Sequence, residues 1–306
     1  MNTILYRQRS FGPDAVQCQR EMGLTLRRNV MQASSNNRKR KLIVLLFLCS
    51  AMTGIVVLIT LTVRGGGAQG IKKMRLSVQD PRPVAKAIEI LEARYGWVIT
   101  YEDPRYVHDS EITDVTRSVR RDLNKFRTGG APRVLIPRGG ALTVDYDVAT
   151  ATNAPSDRAT VIQQLLDAQA ASGNPGRFRL ERNGQIVHVI PAFSKNSAGE
   201  LVPEEPVLDA VITVPAGDRT GMQKLDAICE AISQVTQTRV VVGVVPLNLF
   251  FQHRDQQGAV SQKARDALAQ ILEAVGNGTS LSWQLLYDPG MRIYVLNIHE
   301  VPKTNR

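Results

Sequence analysis

Apolar and polar positions alternate with a period of two in two short stretches near the C-terminus. The apolar positions of these stretches are Trp283, Leu285, Tyr287, Ile293 and Val295. Asp288, Pro289 and Gly290 lie between the stretches and are typical of a tight turn. The pattern therefore predicts a β-hairpin, and because an isolated hairpin is only marginally stable, it must pack on another element.

A helical pattern precedes this hairpin. Its apolar residues recur at a spacing of three and four, at Leu268, Ile271, Leu272 and Val275. One face of such a helix can cover one side of the hairpin. A further strand predicted around Val240 and Val242 would complete a small α+β core.

A second part of the chain has the same pattern. Residues 161–191 and 267–297 each predict a helix, a loop containing Gly and Asn, and a hairpin. Upstream of these, residues 84–101 and 225–245 each predict a helix followed by a strand. We therefore predict an α+β fold with two small, repeated α/β-sandwich-like modules, each ordered β-α-β and then α-β-β.

The two patterns also set the domain boundaries. The first module is predicted over residues 71–192 and holds an insertion near 102–140, because its helices lie further apart along the chain. The second module is predicted over residues 207–301. Residues 193–206 contain prolines and few large apolar side chains, so they predict a linker.

An apolar run without a charged residue, 42–63, precedes the modules. A helix of that length would extend about 33 Å, which is enough to cross a bilayer. Residues 1–41 form a basic tail before it, and residues 64–70 form a Gly-rich spacer after it. Positive charge is denser on the N-terminal side, which predicts a cytoplasmic tail, a single pass through the bacterial inner membrane and a periplasmic C-terminal bulk.

Cleavage of this segment is the alternative interpretation. If Met31 were the start, a short basic region would precede the apolar run, and Gly66 and Ala68 would provide the small residues of a signal-peptidase site. The protein would then be secreted to the periplasm after cleavage near Ala68. A retained anchor is favoured because the run exceeds the roughly 7 to 15 residues of a signal-peptide core.

The net charge of +10 is concentrated in the tail, where residues 1–41 carry nine Lys or Arg and two acids. The remainder is nearly balanced, so we expect no nucleic-acid partner and instead a membrane contact with a protein partner or self-association. The three cysteines, Cys18, Cys49 and Cys229, lie far apart, which predicts neither a disulfide nor a zinc site.

Residues 261–298, SQKARDALAQILEAVGNGTSLSWQLLYDPGMRIYVLNI, resemble the second half of the short N-terminal domain of secretins and TonB receptors, the STN domain. The likeness is in a helix opening with Ala-x-x-Ala-Leu, a Gly loop and an apolar hairpin. Residues 158–190 are similar. The resemblance implies small periplasmic α+β modules that bind protein partners or stack against copies of themselves. Those families continue into a large barrel or pore, which the sequence up to Arg306 does not contain, so neither role is expected.

The sequence contains little that predicts catalysis. No two of the four histidines have the spacing of metal ligands, and neither a nucleophile elbow nor a phosphate loop is present. The densest polar cluster, residues 101–114, predicts a solvated loop and the start of a helix continuing to Phe126. We therefore expect no catalytic residue, no cofactor and no metal, and the protein is not predicted to be an enzyme.

Two surfaces are candidates for binding. The strand that contains Val240 and Val242, with Phe250 and Phe251 beyond it, predicts a free sheet edge or apolar patch that docks a partner. Alternatively, the two phenylalanines fill the core between the modules. The second candidate is a basic face on the insertion helix, which meets anionic lipid, an acidic partner or only solvent; its residues are Arg117, Arg120, Arg121 and Lys125.

Three functions from different classes fit these patterns. The favoured one is a membrane-anchored envelope protein whose tandem modules form a protein-interaction or assembly surface. The others are a cleaved, soluble periplasmic binding or adaptor protein and an unrecognised enzyme, which a deep polar pocket with perturbed carboxylates would indicate.

Overall fold

The computed structural model describes residues 70–121, 132–149, 154–155 and 157–303, all of which belong to one compact unit, Val56–Arg306. The predicted tail and apolar segment lie outside the described residues, as does all but the last residue of the spacer. Within the described ranges, no helix is long and apolar enough to cross a bilayer.

The described residues form a mixed α+β structure, as the alternating and helical patterns predict. The elements of its N-terminal half are β1 (Ile71–Gln79), α1 (Pro83–Tyr95), β2 (Ile99–Glu102), a 3-10 helix (Asp109–Glu111), β3 (Ile112–Asp114), α2 (Thr116–Val119), β4 (Leu135–Pro137), β5 (Ala141–Ala149), α3 (Arg158–Ala171), β6 (Arg177–Asn183), β7 (Ile186–Lys195) and β8 (Leu201–Pro203).

The C-terminal half begins with a second 3-10 helix. Its elements are that helix (Val207–Asp209), β9 (Val211–Val214), β10 (Arg219–Thr220), α4 (Gly221–Thr236), β11 (Val240–Val242), α5 (Leu247–Gln252), β12 (Arg254–Asp255), β13 (Ala259–Lys263), α6 (Ala264–Gly276), β14 (Leu281–Asp288) and β15 (Ile293–Glu300).

Among the described residues, each half has two main sheets with a pair of helices between them, and a further two-stranded sheet, β3 with β4 in the first half and β10 with β12 in the second. In the N-terminal half, β1 pairs antiparallel with β5, while β7 lies between β2, which is parallel to it, and β6, which is antiparallel. In the C-terminal half, β9 pairs antiparallel with β13, while β15 lies between parallel β11 and antiparallel β14. The helices α1 and α3 contact both sheets of the first half, as α4 and α6 do in the second.

Local sequence signals define the helix ends. Pro83 lies in the first turn of α1, where a missing N–H is tolerated, and Gly96 ends that helix with φ 65°. Thr220 and Gln223 form a reciprocal capping box at the start of α4. These signals fix where each helix meets the strand that follows it.

The two halves have separate apolar cores. The N-terminal core includes Leu76, Ile88 and Leu165, and the C-terminal core includes Leu225 and Leu268. Side chains cross between the halves: Tyr106, which follows β2, and Ile112 pack on the C-terminal core, and Leu286 of β14 packs on the N-terminal core. The segment after β2 therefore ties the halves together.

The sheets of the two halves join edge to edge. Strand β14 pairs parallel with β2, with Gln284 opposite Tyr101 and Leu285 opposite Glu102. The result is a seven-stranded sheet in the order β11-β15-β14-β2-β7-β6, with β8 also on β7. Strands β11 and β6 are the two ends of this order.

Three sequence predictions differ from the structure. Residues 193–206 are not simply a linker, since β7 continues to Lys195 and β8 returns to pair with it. The predicted insertion helix is wrong over its described part, because Ile112–Asp114 pairs with Leu135–Pro137 as a strand and α2 is a single turn. The polar cluster after Tyr101 is not a solvated loop, since Glu102 and Asp103 are fully buried.

Candidate functional site

The joint between the two halves, formed by β2, β14 and the residues around them, contains buried charges. At its centre the Asp103 carboxylate is inaccessible to solvent and accepts four hydrogen bonds. The donors are Arg82 Nε at 2.6 Å, the Tyr101 hydroxyl at 2.7 Å, the Tyr106 hydroxyl at 3.2 Å and the Tyr287 backbone N–H at 2.9 Å. Because Tyr287 belongs to β14, this carboxylate links both halves.

A second carboxylate, Glu102, pairs with the C-terminal half. Arg265, at the start of α6, donates from Nη2 to Glu102 at 2.9 Å and from Nε to Asp209 at 3.0 Å. Burial raises the pKa of Glu102 to about 7, and the Arg265 guanidinium only partly opposes this rise. The pair is thus a charge contact whose protonation changes near neutral pH.

A histidine lies beside these charges. His188 on β7 is buried, its Nδ1 lies 2.7 Å from Thr100 Oγ1, and its ring lies 5.7 Å from that of Trp283. Burial first, and then the nearby Arg265, lower the pKa of His188 to about 4, so the ring is neutral at pH 7. His188 Nε2, Trp283 Nε1 and Arg265 Nη1 have no hydrogen-bond partner among the described residues.

Both backbone polar groups of Ile99, the first residue of β2, form hydrogen bonds with side chains. Its N–H donates to Glu92 Oε1 on α1 at 3.2 Å, and its carbonyl accepts from Ser282 Oγ on β14 at 2.8 Å. Glu92 also contacts His299 Nε2 at 2.7 Å. Burial tends to lower the pKa of His299, but the Glu92 carboxylate outweighs burial and raises it. Side chains of both halves therefore enclose this strand.

The edge strand β11 contains the sequence-predicted candidates Val240 and Val242. Val240 is buried and its N–H donates to Ser233 Oγ on α4 at 2.8 Å, whereas Val242 is half-buried. Beyond the strand, Val244 and Leu247 are 55% and 54% exposed. The candidate strand is thus the end strand of the seven-stranded sheet, with exposed apolar residues following it.

The two phenylalanines have different positions. Phe250 is completely buried in the C-terminal core, so its side chain cannot contact a partner. Phe251 is 58% exposed. The pattern alone could not separate them, because α5 is too short to show a helical period.

The opposite end strand, β6, is rich in arginine. Arg179 donates to Glu181 at 3.1 Å and to the Pro191 carbonyl at 3.0 Å, so its guanidinium is already paired. Arg182 contacts Asp157 at 3.3 Å. Charged side chains on an edge strand discourage unselective pairing with other strands.

The predicted basic face is not formed as a helix face. Arg117 is exposed on α2, whereas Arg120 is the residue that ends this single turn and has extended backbone angles. Arg121 is exposed, and Lys125 lies outside the described residues. The helical spacing that united these residues in the sequence analysis does not apply to the described ones.

Other chemistry is sparse in the described part of the chain. An open groove of about 210 Å³ lies between β9 and α4, lined by residues that include Thr213, Arg219 and Glu230. No group of three or more His, Cys, Asp or Glu among the described residues could hold a metal ion. Cys229 is buried as a free thiol, and burial raises its pKa to about 12.

No protein-family model, curated protein or solved structure matches this chain. The joint and the two end strands are the features of the described residues that bear on function. The sequence pattern predicts strand β11 but not the joint, because Glu102 and Asp103 have the local signature of a surface loop. Their partners Arg265 and Tyr287 lie far away in the sequence.

Proposed function

We propose that this protein is a membrane-anchored envelope protein whose periplasmic part is a tandem pair of STN-like modules acting as a protein-interaction or assembly surface. Residues 42–63 form the anchor and residues 1–41 the cytoplasmic tail. The uncharged run and the charge asymmetry around it support this orientation.

The two halves are copies of one unit in this proposal. The same order of strand pairings supports it, and so does a matching side-chain contact in each half. Glu92 on α1 accepts from the N–H seven residues later, that of Ile99, and Ser233 on α4 accepts from the N–H seven residues later, that of Val240. Both contacts attach a helix to the first residue of the following strand.

The observation that carries the interaction function is that a strand edge already serves as a docking surface within the chain. The edge of β2 receives β14 from the other half. Strand β11 has the same place in its own half but lies at an end of the sheet, and exposed Val244 and Leu247 follow it. An end strand of this kind can accept a further strand through its backbone groups.

A topology experiment tests the anchor. A reporter that is active only in the periplasm should work when it is fused after Thr304 and should stay silent when it is fused before Lys41. The reverse pattern would contradict the orientation. N-terminal sequencing of the mature protein separates a retained anchor from cleavage near Ala68.

A capture experiment tests the interaction surface. Val242 lies on an end strand and packs only in part on the C-terminal core, so full-length protein carrying Val242→Lys should fold with reduced stability. It should lose partners that the wild type retains from native membranes. The matched control is Val260→Lys on β13, where the side chain is 77% exposed. If Val242→Lys folds and retains every partner, the β11 edge is not the interaction surface.

A further inference from the structure

The pairing of β2 with β14 shows which strand edge of one half contacts which strand edge of the other. The β2 edge of the N-terminal half contacts the β14 edge of the C-terminal half, in parallel. If the halves are copies, β11 corresponds to β2 and β6 corresponds to β14. These corresponding strands are the two ends of the sheet, so one edge of each kind has no strand partner among the described residues.

The pairings give the correspondence of β2 and β11 residue by residue. Ile99 lies opposite Val187 on β7, and Val240 lies opposite Tyr294 on β15. Ile99 therefore corresponds to Val240. Two residues further along, Tyr101 corresponds to Val242, and Glu102 to Gly243.

The hairpins give the other correspondence. Leu180 on β6 lies opposite Val189 on β7, and Leu285 on β14 lies opposite Leu296 on β15. Val189 lies two residues after Val187, which pairs with Ile99. Leu296 lies two residues after Tyr294, which pairs with Val240. Leu180 therefore corresponds to Leu285. One residue earlier, Arg179 corresponds to Gln284.

Helix α4 does not close the β11 edge. The Val240 N–H is occupied by Ser233 Oγ, but the corresponding N–H of Ile99 is occupied by Glu92, and β2 is nevertheless paired with β14. The Tyr294 N–H donates to the Arg239 carbonyl, and the Gly243 N–H donates to the Leu296 carbonyl. Because the direction of backbone groups alternates along a strand, the Val242 N–H and carbonyl face away from β15.

We propose that a second copy of this chain docks on the first through these edges, with β6 of one copy added in parallel to β11 of the other. The register of the internal joint places Arg179 opposite Val242 and Leu180 opposite Gly243. The contact is head-to-tail, so repeated docking gives a ring or an open array of chains. This inference rests on the proposed function of β11 as an interaction edge.

The side chains at the two edges are compatible with this contact. The Arg179 guanidinium is already paired with Glu181, and its aliphatic stem can lie over valine side chains. The β11 edge carries no buried carboxylate of the kind that joins β2 to the other half. Association is therefore weaker than the internal joint and benefits from the confinement of chains by a membrane anchor, which raises their effective concentration.

Disulfide cross-linking of the full-length protein in oxidised membranes tests the register. Arg179→Cys in one chain and Val242→Cys in another should form a linked dimer. Within one chain these positions lie on strands five places apart, about 24 Å at the usual strand spacing, so an internal disulfide is excluded. A second pair in the same register, Glu181→Cys with Val244→Cys, uses an exposed residue on the β11 side.

The control pair is Arg182→Cys with Val242→Cys, displaced about 10 Å along β6. The register predicts about tenfold less dimer from this pair than from Arg179→Cys with Val242→Cys, because the sulfur atoms cannot reach each other. Each single variant and the wild type report any contribution of native cysteines. Absence of dimer from both in-register pairs, or equal dimer from the control, overturns the proposal. Capture of other proteins that still depends on Val242 would then leave the proposed function intact.

Discussion

Strands β2 and β11 each pair in parallel with the middle strand of their own half, β7 and β15, but the residues at their outer edges differ. At the end of β2 stand Glu102 and Asp103, buried and bonded to the other half; the corresponding positions after β11 are Gly243 and exposed Val244. A buried carboxylate is tolerated only where donors reach it. The polar residues therefore occur at the edge that is permanently joined, and apolar ones at the end strand.

The difference also concerns register. A shift of one residue between β2 and β14 would separate Asp103 from the Tyr287 N–H and would leave a buried charge short of donors. The joint is thus specified by charge as well as by backbone pairing. Strand β11 has no such charge, so its pairing depends on backbone bonds and side-chain shape.

The largest expected effect comes from removing the central carboxylate of the joint. Asp103→Ala leaves the Arg82 guanidinium without its anion and several buried donors unpaired, which should lower the free energy of unfolding by roughly 3–5 kcal/mol. Urea denaturation measures this change. The control is Asp145→Ala, whose pair with Arg75 is exposed and should therefore contribute much less. Similar losses from both would mean that the joint is not specially dependent on its charge.

The pH dependence of Glu102 is the next largest effect. Its pKa rises from 4.5 to about 7 on folding, so the folded state binds this proton more tightly than the unfolded chain does. The resulting stability is present below pH 4.5 and is lost as the pH rises through 7, by about 3 kcal/mol in total. Glu102→Gln should remove this loss, so the variant should gain stability relative to the wild type between pH 4 and pH 8.

Chemical denaturation at several pH values measures the relative stability of the Glu102→Gln variant. The control is Glu181→Gln on β6, which removes the same charge from an exposed ion pair outside the joint. A constant difference between Glu102→Gln and the wild type at every pH would contradict the interpretation.

Loss of the hydrogen bond between α4 and β11 should lower the free energy of unfolding by a smaller amount. Ser233→Ala removes the acceptor for the Val240 N–H in a partly buried hydrogen bond, and should lower the unfolding free energy by roughly 1–3 kcal/mol. Thermal denaturation of the full-length protein measures it. The control is Ser194→Ala on β7, which also removes one serine hydroxyl from a buried position. No difference between the two variants would show that Ser233 does not stabilise this strand.

The sequence predicts more of the elements than of their assembly. The terminal hairpin and the helix before it are present as β14, β15 and α6, because their periodicity is local. The buried state of Glu102 is not local, since Arg265 lies on a helix of the other half. The insertion failed for a similar reason: Ile112 and its neighbours have an apolar spacing compatible with a helix, but pairing with Leu135–Pro137 makes them a strand.

The smallest expected effect distinguishes an end strand from an internal one. Val242→Pro removes an N–H that faces away from β15, so its cost is confined to the valine side chain that packs in part on the C-terminal core, about 1–2 kcal/mol. Val241→Pro is the matched control, because its N–H faces β15 and its loss breaks the ladder. Urea denaturation should show the control to be less stable than Val242→Pro by at least about 1 kcal/mol. If both prolines destabilise equally, Val242 is not at an open edge, and neither partner docking nor head-to-tail pairing through its backbone can be sustained.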